Sequence, residues 1–190
     1  SEHDMIIVTP DGNFNSWYLN SYVDSTQLFY AYISQEVPQY IDEHFRSYQD
    51  ARYRGITGLS MGGHGALSIA LKHPDWFGVA GSMSGVVDLR AHSDAWEIDQ
   101  HLGAYTEDST RWATHSVVAI AETVRETPHL IIDCGTEDQM LAENEALHQV
   151  LLNRGIPHTY IARPGSHDWL YWEEAIVHQL LFFKKLFDEG

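Results

Sequence analysis

Gly58-Leu59-Ser60-Met61-Gly62 is a G-x-S-x-G sequence, and its serine is the residue best placed to do covalent chemistry. With glycine at about 7% of an average chain and serine similar, chance alone supplies roughly one such match in fifteen chains of this length. The pattern by itself therefore decides little, and its surroundings matter more. An apolar run, Tyr53 to Leu59, reads as a strand ahead of the serine, and Ser60 to His73 reads as a small-residue helix stopped by Pro74. A strand, a serine and a helix in that order are the setting of a nucleophile elbow. Side chains at 58 and 62 are expected to collide with backbone in so sharp a turn, hence glycine at both, while Gly63 and Gly65 let the helix lie close to the sheet. The competing reading is a glycine-rich turn with an incidental serine.

A serine hydroxyl needs a base to take its proton, and the base needs an acid to orient it. Where such elbows work, the acid and then the histidine follow the serine in the chain. Asp138, in Gly135-Thr136-Glu137-Asp138, lies just past the strand-like run His129–Cys134, and His167 lies in the loop after the run His158–Ala162. Both fall at the carboxyl ends of strands, where sites of parallel sheets assemble. Asp133 and Glu137 are rival acids, although Asp133, inside a covered strand, is expected to point into a sheet face. His64, on the helix after the serine, is expected to point away from it, and His73 and His129 sit at the wrong ends of their elements. Asp168 reads as the N-cap of the final helix.

The elements that must position these groups alternate. Met5–Val8, Tyr53–Leu59, Phe77–Met83, His129–Cys134 and His158–Ala162 read as strands. Ser25–Phe45, with Val37, Tyr40, Ile41, Phe45 and Tyr48 on one face and a kink at Pro38, reads as a helix. So do Leu141–Asn153, with Gly155 as its left-handed cap, and Trp169–Phe187, with a buried stripe of Trp172, Ile176, Leu180, Phe183 and Phe187. Residues 88–127 are polar, carry Trp96 and Trp112, and read as an insertion of short helices. Strands alternating with helices predict an α/β protein, a mostly parallel sheet covered on both faces. No repeat or linker divides residues 1–190, so one domain is expected.

Composition narrows the function. Lys and Arg number 11 against 27 Asp and Glu, a formal net charge of −16, which speaks against binding nucleic acid or an anionic membrane. No apolar run approaches the roughly 20 residues of a membrane span. Cys134 is the single cysteine, so no internal disulfide or CxxC site exists. The twelve histidines include no H-x-x-x-H or H-E-x-x-H spacing, and no metal or other cofactor is expected. The polar start Ser1-Glu2-His3-Asp4 does not read as a signal peptide, and the compartment stays open between cytoplasmic and secreted.

Gly58-Leu59-Ser60-Met61-Gly62-Gly63-His64-Gly65-Ala66-Leu67 resembles the elbow of the esterase D-like family of α/β-hydrolases, which includes S-formylglutathione hydrolases, feruloyl and acetyl-xylan esterases, tributyrin esterases and mycolyltransferases. The resemblance continues through Ile7–Gly12, Pro38–Ile41, Cys134–Asp138 and Gly165–Trp169, nearly the whole chain. It implies Ser60 as nucleophile, Asp138 as acid and His167 as base, with the Met61 amide in the oxyanion hole. It also implies several strands ahead of Met5–Val8, one of which lies between that strand and Tyr53–Leu59 and supplies the first oxyanion amide. That segment is missing from this sequence, so the expectation is a truncated or cleaved product, or a sheet completed by another chain.

The expected activity is carboxylic ester hydrolysis through an acyl-enzyme. The substrate is a small-molecule or glycan-linked ester, with Trp17, Tyr18, Tyr22 and Trp169 as pocket residues and Trp96 and Trp112 in a lid. Three alternatives stay open: a serine peptidase of the prolyl oligopeptidase type, an acyltransferase, and an inactive binding-only relative. Oligomeric state is not legible.

Overall fold

The computed structural model describes residues 5–189; the Ser1–Asp4 stretch and Gly190 lie outside the described residues. Four short apolar runs form its sheet: β1 (Gly55–Ile56), β2 (Val79–Met83), β3 (His129–Gly135) and β4 (His158–Arg163). All pair in parallel in the order β1-β2-β3-β4, with Ile56 opposite Ala80, Ser82 opposite Ile132, and Ile132 opposite Tyr160. Parallel neighbours require crossovers, and helices supply them. The helices are α1 (Phe29–Ala31), α2 (Val37–His44), α3 (Met61–Lys72), α4 (Asp99–Leu102), α5 (Ser109–His115), α6 (Val117–Thr123), α7 (Leu141–Asn153) and α8 (Trp169–Glu189). None of the described helices is long and apolar enough to cross a membrane.

Helices α3, α6 and α7 pack together on one face of the sheet, and α8 covers the other. Strand β3 shows why both faces must be covered. Leu130 and Ile132 join Leu67, Ile69, Leu147 and Leu151 in one core cluster, while Ile131, between them, joins Val79 and Phe183 in another. A strand alternates its side chains, so an unbroken apolar run buries on both sides. Each such side chain removed from water contributes about 1.5–3 kcal/mol.

Expectations for four elements are corrected. Met5–Val8 is not a strand: it is irregular, with Ile6 52% and Ile7 66% exposed, because no strand among the described residues lies beside it to form a ladder. For the same reason the outer edge of β1 has no strand partner among the described residues. β1 itself is only the middle of the Tyr53–Leu59 run. Ala51–Tyr53 winds into a 3-10 turn capped by Asp50, and past Ile56 a single bridge, Leu59 to Met83, continues the ladder.

The Ser25–Phe45 helix is interrupted by a π-helical turn, Tyr32–Glu36, between α1 and α2. Pro38 has no N–H to donate one turn back and its ring crowds that carbonyl, which favours a widened turn just ahead of it. Its buried residues are Ile33, Ser34 and Pro38, whereas Tyr40, Phe45 and Tyr48 of the expected face are exposed.

On α8 the buried row is Tyr171, Ala175, Gln179 and Phe183, with Trp172 beside it, rather than a row through Ile176, Leu180 and Phe187. Gln179 is admitted because its amide finds the Thr57 hydroxyl (3.1 Å) and the Ser82 carbonyl (3.4 Å). Helix α7 ends as its sequence suggests. Gly155, at φ 65°, donates to the Leu152 carbonyl and Ile156 to that of Leu151, the paired bonds of a left-handed cap.

The approach of α3 to the sheet is set by Gly58 and Gly63. A Cβ on Gly58 would stand 2.5 Å from the Gly62 carbonyl carbon, and one on Gly63 2.5 Å from the Ser82 hydroxyl and 2.9 Å from the Gly85 Cα. Gly62 differs from the expected collision, since a Cβ there meets only the Tyr18 hydroxyl at 3.9 Å. Gly63→Ala is therefore expected to destabilise the fold by about 1–3 kcal/mol through overpacking. Gly62→Ala should be neutral or stabilise by up to about 1 kcal/mol through helix propensity. Urea unfolding of the two variants checks this pair.

Candidate active site

Three loops at the carboxyl end of the sheet meet around Ser60. The first is the elbow. Ser60 has φ 52° and ψ −117°, a conformation that non-glycine residues rarely hold, and the surrounding bonds over-determine it. Its amide donates to the Met83 carbonyl (2.9 Å), the Met83 amide donates to Gly58 (2.9 Å), and the Ser60 carbonyl accepts from His64 (3.1 Å) in the first turn of α3. Met61 is the first residue of α3, so its N–H has no intrahelical acceptor.

The second loop follows β3 and carries Asp138, whose side chain is fully buried. The Met140 amide donates to its Oδ1 at 2.8 Å. The third follows β4 and carries His167. These two loops are bound by the Thr136 amide on the Arg163 carbonyl (2.9 Å) and the Glu137 amide on that of Gly165 (3.0 Å). Gly135 is required at their contact, because a Cβ there would overlap the Gly165 carbonyl. Asp168 caps α8 by accepting from the Tyr171 amide (3.0 Å), which fixes the chain immediately after His167.

The three side chains line up. His167 Nδ1 lies 3.0 Å from both Asp138 oxygens, and its Nε2 lies 3.0 Å from Ser60 Oγ. A carboxylate only accepts, so it selects the tautomer with the proton on Nδ1, leaving Nε2 bare to accept from the serine hydroxyl. The ring edge of Trp172 packs on His167, centroids 4.9 Å apart and nearly perpendicular, and Trp169 packs on Trp172 at 5.4 Å. Trp172 was legible only as a core residue; its place in the first turn of α8, five residues after His167, is the signal that it braces the imidazole.

The family model described as "Putative esterase" matches residues 2–183. The chain belongs to this Esterase family. It is 30% identical to an esterase of Mycobacterium tuberculosis, with 86% of this chain and 41% of that protein covered. It is 29% identical to an S-formylglutathione hydrolase of Paracoccus denitrificans, covering 84% of this chain and 59% of the relative. The chain thus spans roughly half the length of these two curated relatives. Among solved structures, FphF, a fluorophosphonate-binding serine hydrolase of Staphylococcus aureus, superposes with a TM-score of 0.76 at 26% identity, covering 90% of this chain and 68% of that one. The fold is that of the α/β-hydrolases.

Around this esterase-family elbow the other singled-out residues separate. Asp133 faces the opposite side of the sheet and accepts a short hydrogen bond from the Tyr171 hydroxyl; burial raises its pKa. Glu137 is exposed, His73 ends α3 far from Ser60 with its ring against Tyr30, and His129 is exposed at the start of β3. Trp17 is buried, edge-on to His64 at 6.0 Å and stacked on Trp96 at 5.8 Å. Tyr18 lays its ring over Gly65 with its hydroxyl beside Gly12. Trp169 is 67% exposed. Trp112 is a fully buried core residue whose indole donates to the Gly103 carbonyl (3.0 Å) and takes no part in a lid. Tyr22 stands apart: its hydroxyl is 3.2 Å from His115 Nε2 and its ring lies under the Arg111 guanidinium at 4.6 Å.

His64 is fully buried beneath the elbow with neither ring nitrogen hydrogen-bonded. Burial, with smaller contributions from His115 and Lys72, lowers its pKa to about 3. A histidine neutral in the fold but protonated in the unfolded chain contributes stability that is complete above its unfolded pKa of 6.5 and is lost as pH falls towards 3. Stability should drop by about 1.4 kcal/mol per pH unit in that window from this one group. Denaturant titrations between these limits should show the His64→Leu variant losing about one proton's worth of slope.

Proposed function

We propose that this chain is the catalytic core of a serine esterase that cleaves carboxylic esters through an acyl-enzyme. The observation that carries the reading is the continuous Asp138–His167–Ser60 hydrogen-bonded chain, each link 3.0 Å. His167 Nε2 takes the hydroxyl proton as Ser60 Oγ bonds to the ester carbonyl carbon. Asp138 steadies the imidazolium that results. The Met61 N–H, unclaimed by α3, donates to the carbonyl oxygen as it becomes negative. Collapse of the tetrahedral species expels the alcohol, which leaves with the proton from His167. Water then repeats the sequence, His167 again taking the proton, and releases the carboxylic acid and free Ser60.

The second oxyanion donor belongs to the same reading. Among the described residues the outer edge of β1 has no strand partner, and Ile6, Ile7 and Val8 are exposed. A further strand, from an upstream segment or a second chain, would pair with that edge and bring a second amide to the site. One such donor is worth about 2.7–4 kcal/mol of transition-state stabilisation. The substrate class is a small ester. S-formylglutathione hydrolase and acetyl esterase relatives support short acyl groups, and the exposed Trp169 ring, packed on the Trp172 that touches His167, suits an aryl or glycan-linked alcohol.

Turnover of p-nitrophenyl acetate tests the reading. Ser60→Ala should remove at least about 10³-fold of the activity, and Asp138→Asn, which favours the wrong tautomer, about 10⁴-fold. Full turnover in Ser60→Ala would overturn the assignment. Cleavage of an aminoacyl p-nitroanilide at a comparable rate would favour a peptidase instead.

A further inference from the structure

Lys72 closes α3 about 18 Å along the helix from Ser60, at a rise of 1.5 Å per residue. It is set apart by what surrounds it. In a chain with 27 acids and 11 bases, its partly buried ammonium makes no ion pair among the described residues. Its neighbours are His115 Nδ1 at 3.4 Å and the Tyr30 ring at 5.4 Å. Together with Asn20, Ser21 and Tyr22 these residues line a cavity of about 380 Å³.

The hydrogen bonds assign the protons. Lys72 only donates, so His115 Nδ1 accepts and the ring carries its proton on Nε2. Nε2–H then donates to the Tyr22 oxygen at 3.2 Å, which frees the Tyr22 O–H to donate elsewhere. Two donors, the remaining ammonium N–H groups and the tyrosine hydroxyl, are left beside a cavity whose other walls are the Tyr22 and Tyr30 rings, His115, Asn20 and Ser21. We propose that this cavity binds a small organic carboxylate, its oxygens on Lys72 Nζ and the Tyr22 hydroxyl and its apolar part against the tyrosines. One ammonium matches a single negative charge. A phosphate dianion would call for more cationic donors, and Arg111 is already committed to Asp108 (3.1 Å) and the Leu102 carbonyl (2.7 Å).

The site is separate from the esterase reading and does not depend on it. Benzoate is the probe, benzamide its neutral counterpart, and the His115 ring resonances the readout. Benzoate should shift them saturably with a dissociation constant of about 1 mM or tighter, while benzamide should not. Lys72→Met should weaken benzoate at least ~10-fold, because a charge-assisted bond is lost. Tyr22→Phe, at a 58% exposed position that tolerates change, should weaken it too.

Burial holds Lys72 at about 8, so benzoate affinity should fall as pH rises through that value. Among the other groups facing Lys72, His115 is lowered to about 4, His64 to about 3 and Tyr30 is raised to about 12, all away from that value. Ser60→Ala should leave the titration unchanged, which separates this site from the catalytic one. Equal shifts with benzamide, unchanged affinity in Lys72→Met, tighter binding of inorganic phosphate, or no saturable shift would each overturn the proposal.

Discussion

The structure depends on a backbone constraint at Ser60. A serine held at φ 52° is costly, of order 1–3 kcal/mol, and persists only because its neighbours leave it no alternative. The Ser60 and Met83 amides tie the elbow to β2 on one side, and α3 begins immediately on the other. Gly58 and Gly63 let backbone meet backbone where any side chain would intervene. The result is a hydroxyl projected above the end of the sheet, outside the hydrogen-bonding of strand and helix alike.

The partners of that hydroxyl are positioned with comparable redundancy. Asp138 is buried and held by the Met140 amide, and its loop is joined to the His167 loop by two backbone bonds. His167 is gripped from three directions: the carboxylate, the Trp172 ring, and the capping of α8 by Asp168. Charged and polar groups that do not contribute to this chain are kept neutral or turned elsewhere. His64 is held unprotonated directly beneath the elbow, and the Asp133 carboxyl is turned to the opposite face of the sheet, where its Oδ1 accepts from Tyr171.

Much of this was legible in the sequence for physical reasons. Chain order and strand ends sufficed to bring Ser60, Asp138 and His167 together, because parallel strands deliver their following loops to one rim. Gly155 was legible because only a left-handed residue completes that cap. What failed were inferences from periodicity without knowledge of the neighbour. Met5–Val8 has the composition of a strand, but a strand is a pairing, and no strand among the described residues lies beside it. Tyr40, Phe45 and Tyr48 repeat like a buried face yet stay exposed, Tyr40 stacking only on His44 and Tyr48 on Tyr53. Gln179 is polar and buried because of two acceptable partners on β1's continuation and β2, which no pattern on α8 announces. Tyr22 follows the same turn as Trp17 and Tyr18 but is drawn to the far end of α3 by His115 and Arg111.

The central claim is that Ser60 is an activated nucleophile and that its activation comes from His167 and Asp138. Peptide mapping by mass spectrometry after exposure to a fluorophosphonate tests it most directly. The account predicts covalent modification at Ser60 in the intact chain and none in a His167→Ala variant of unchanged fold. Modification at another serine, or equal labelling of Ser60 without the imidazole, would contradict it.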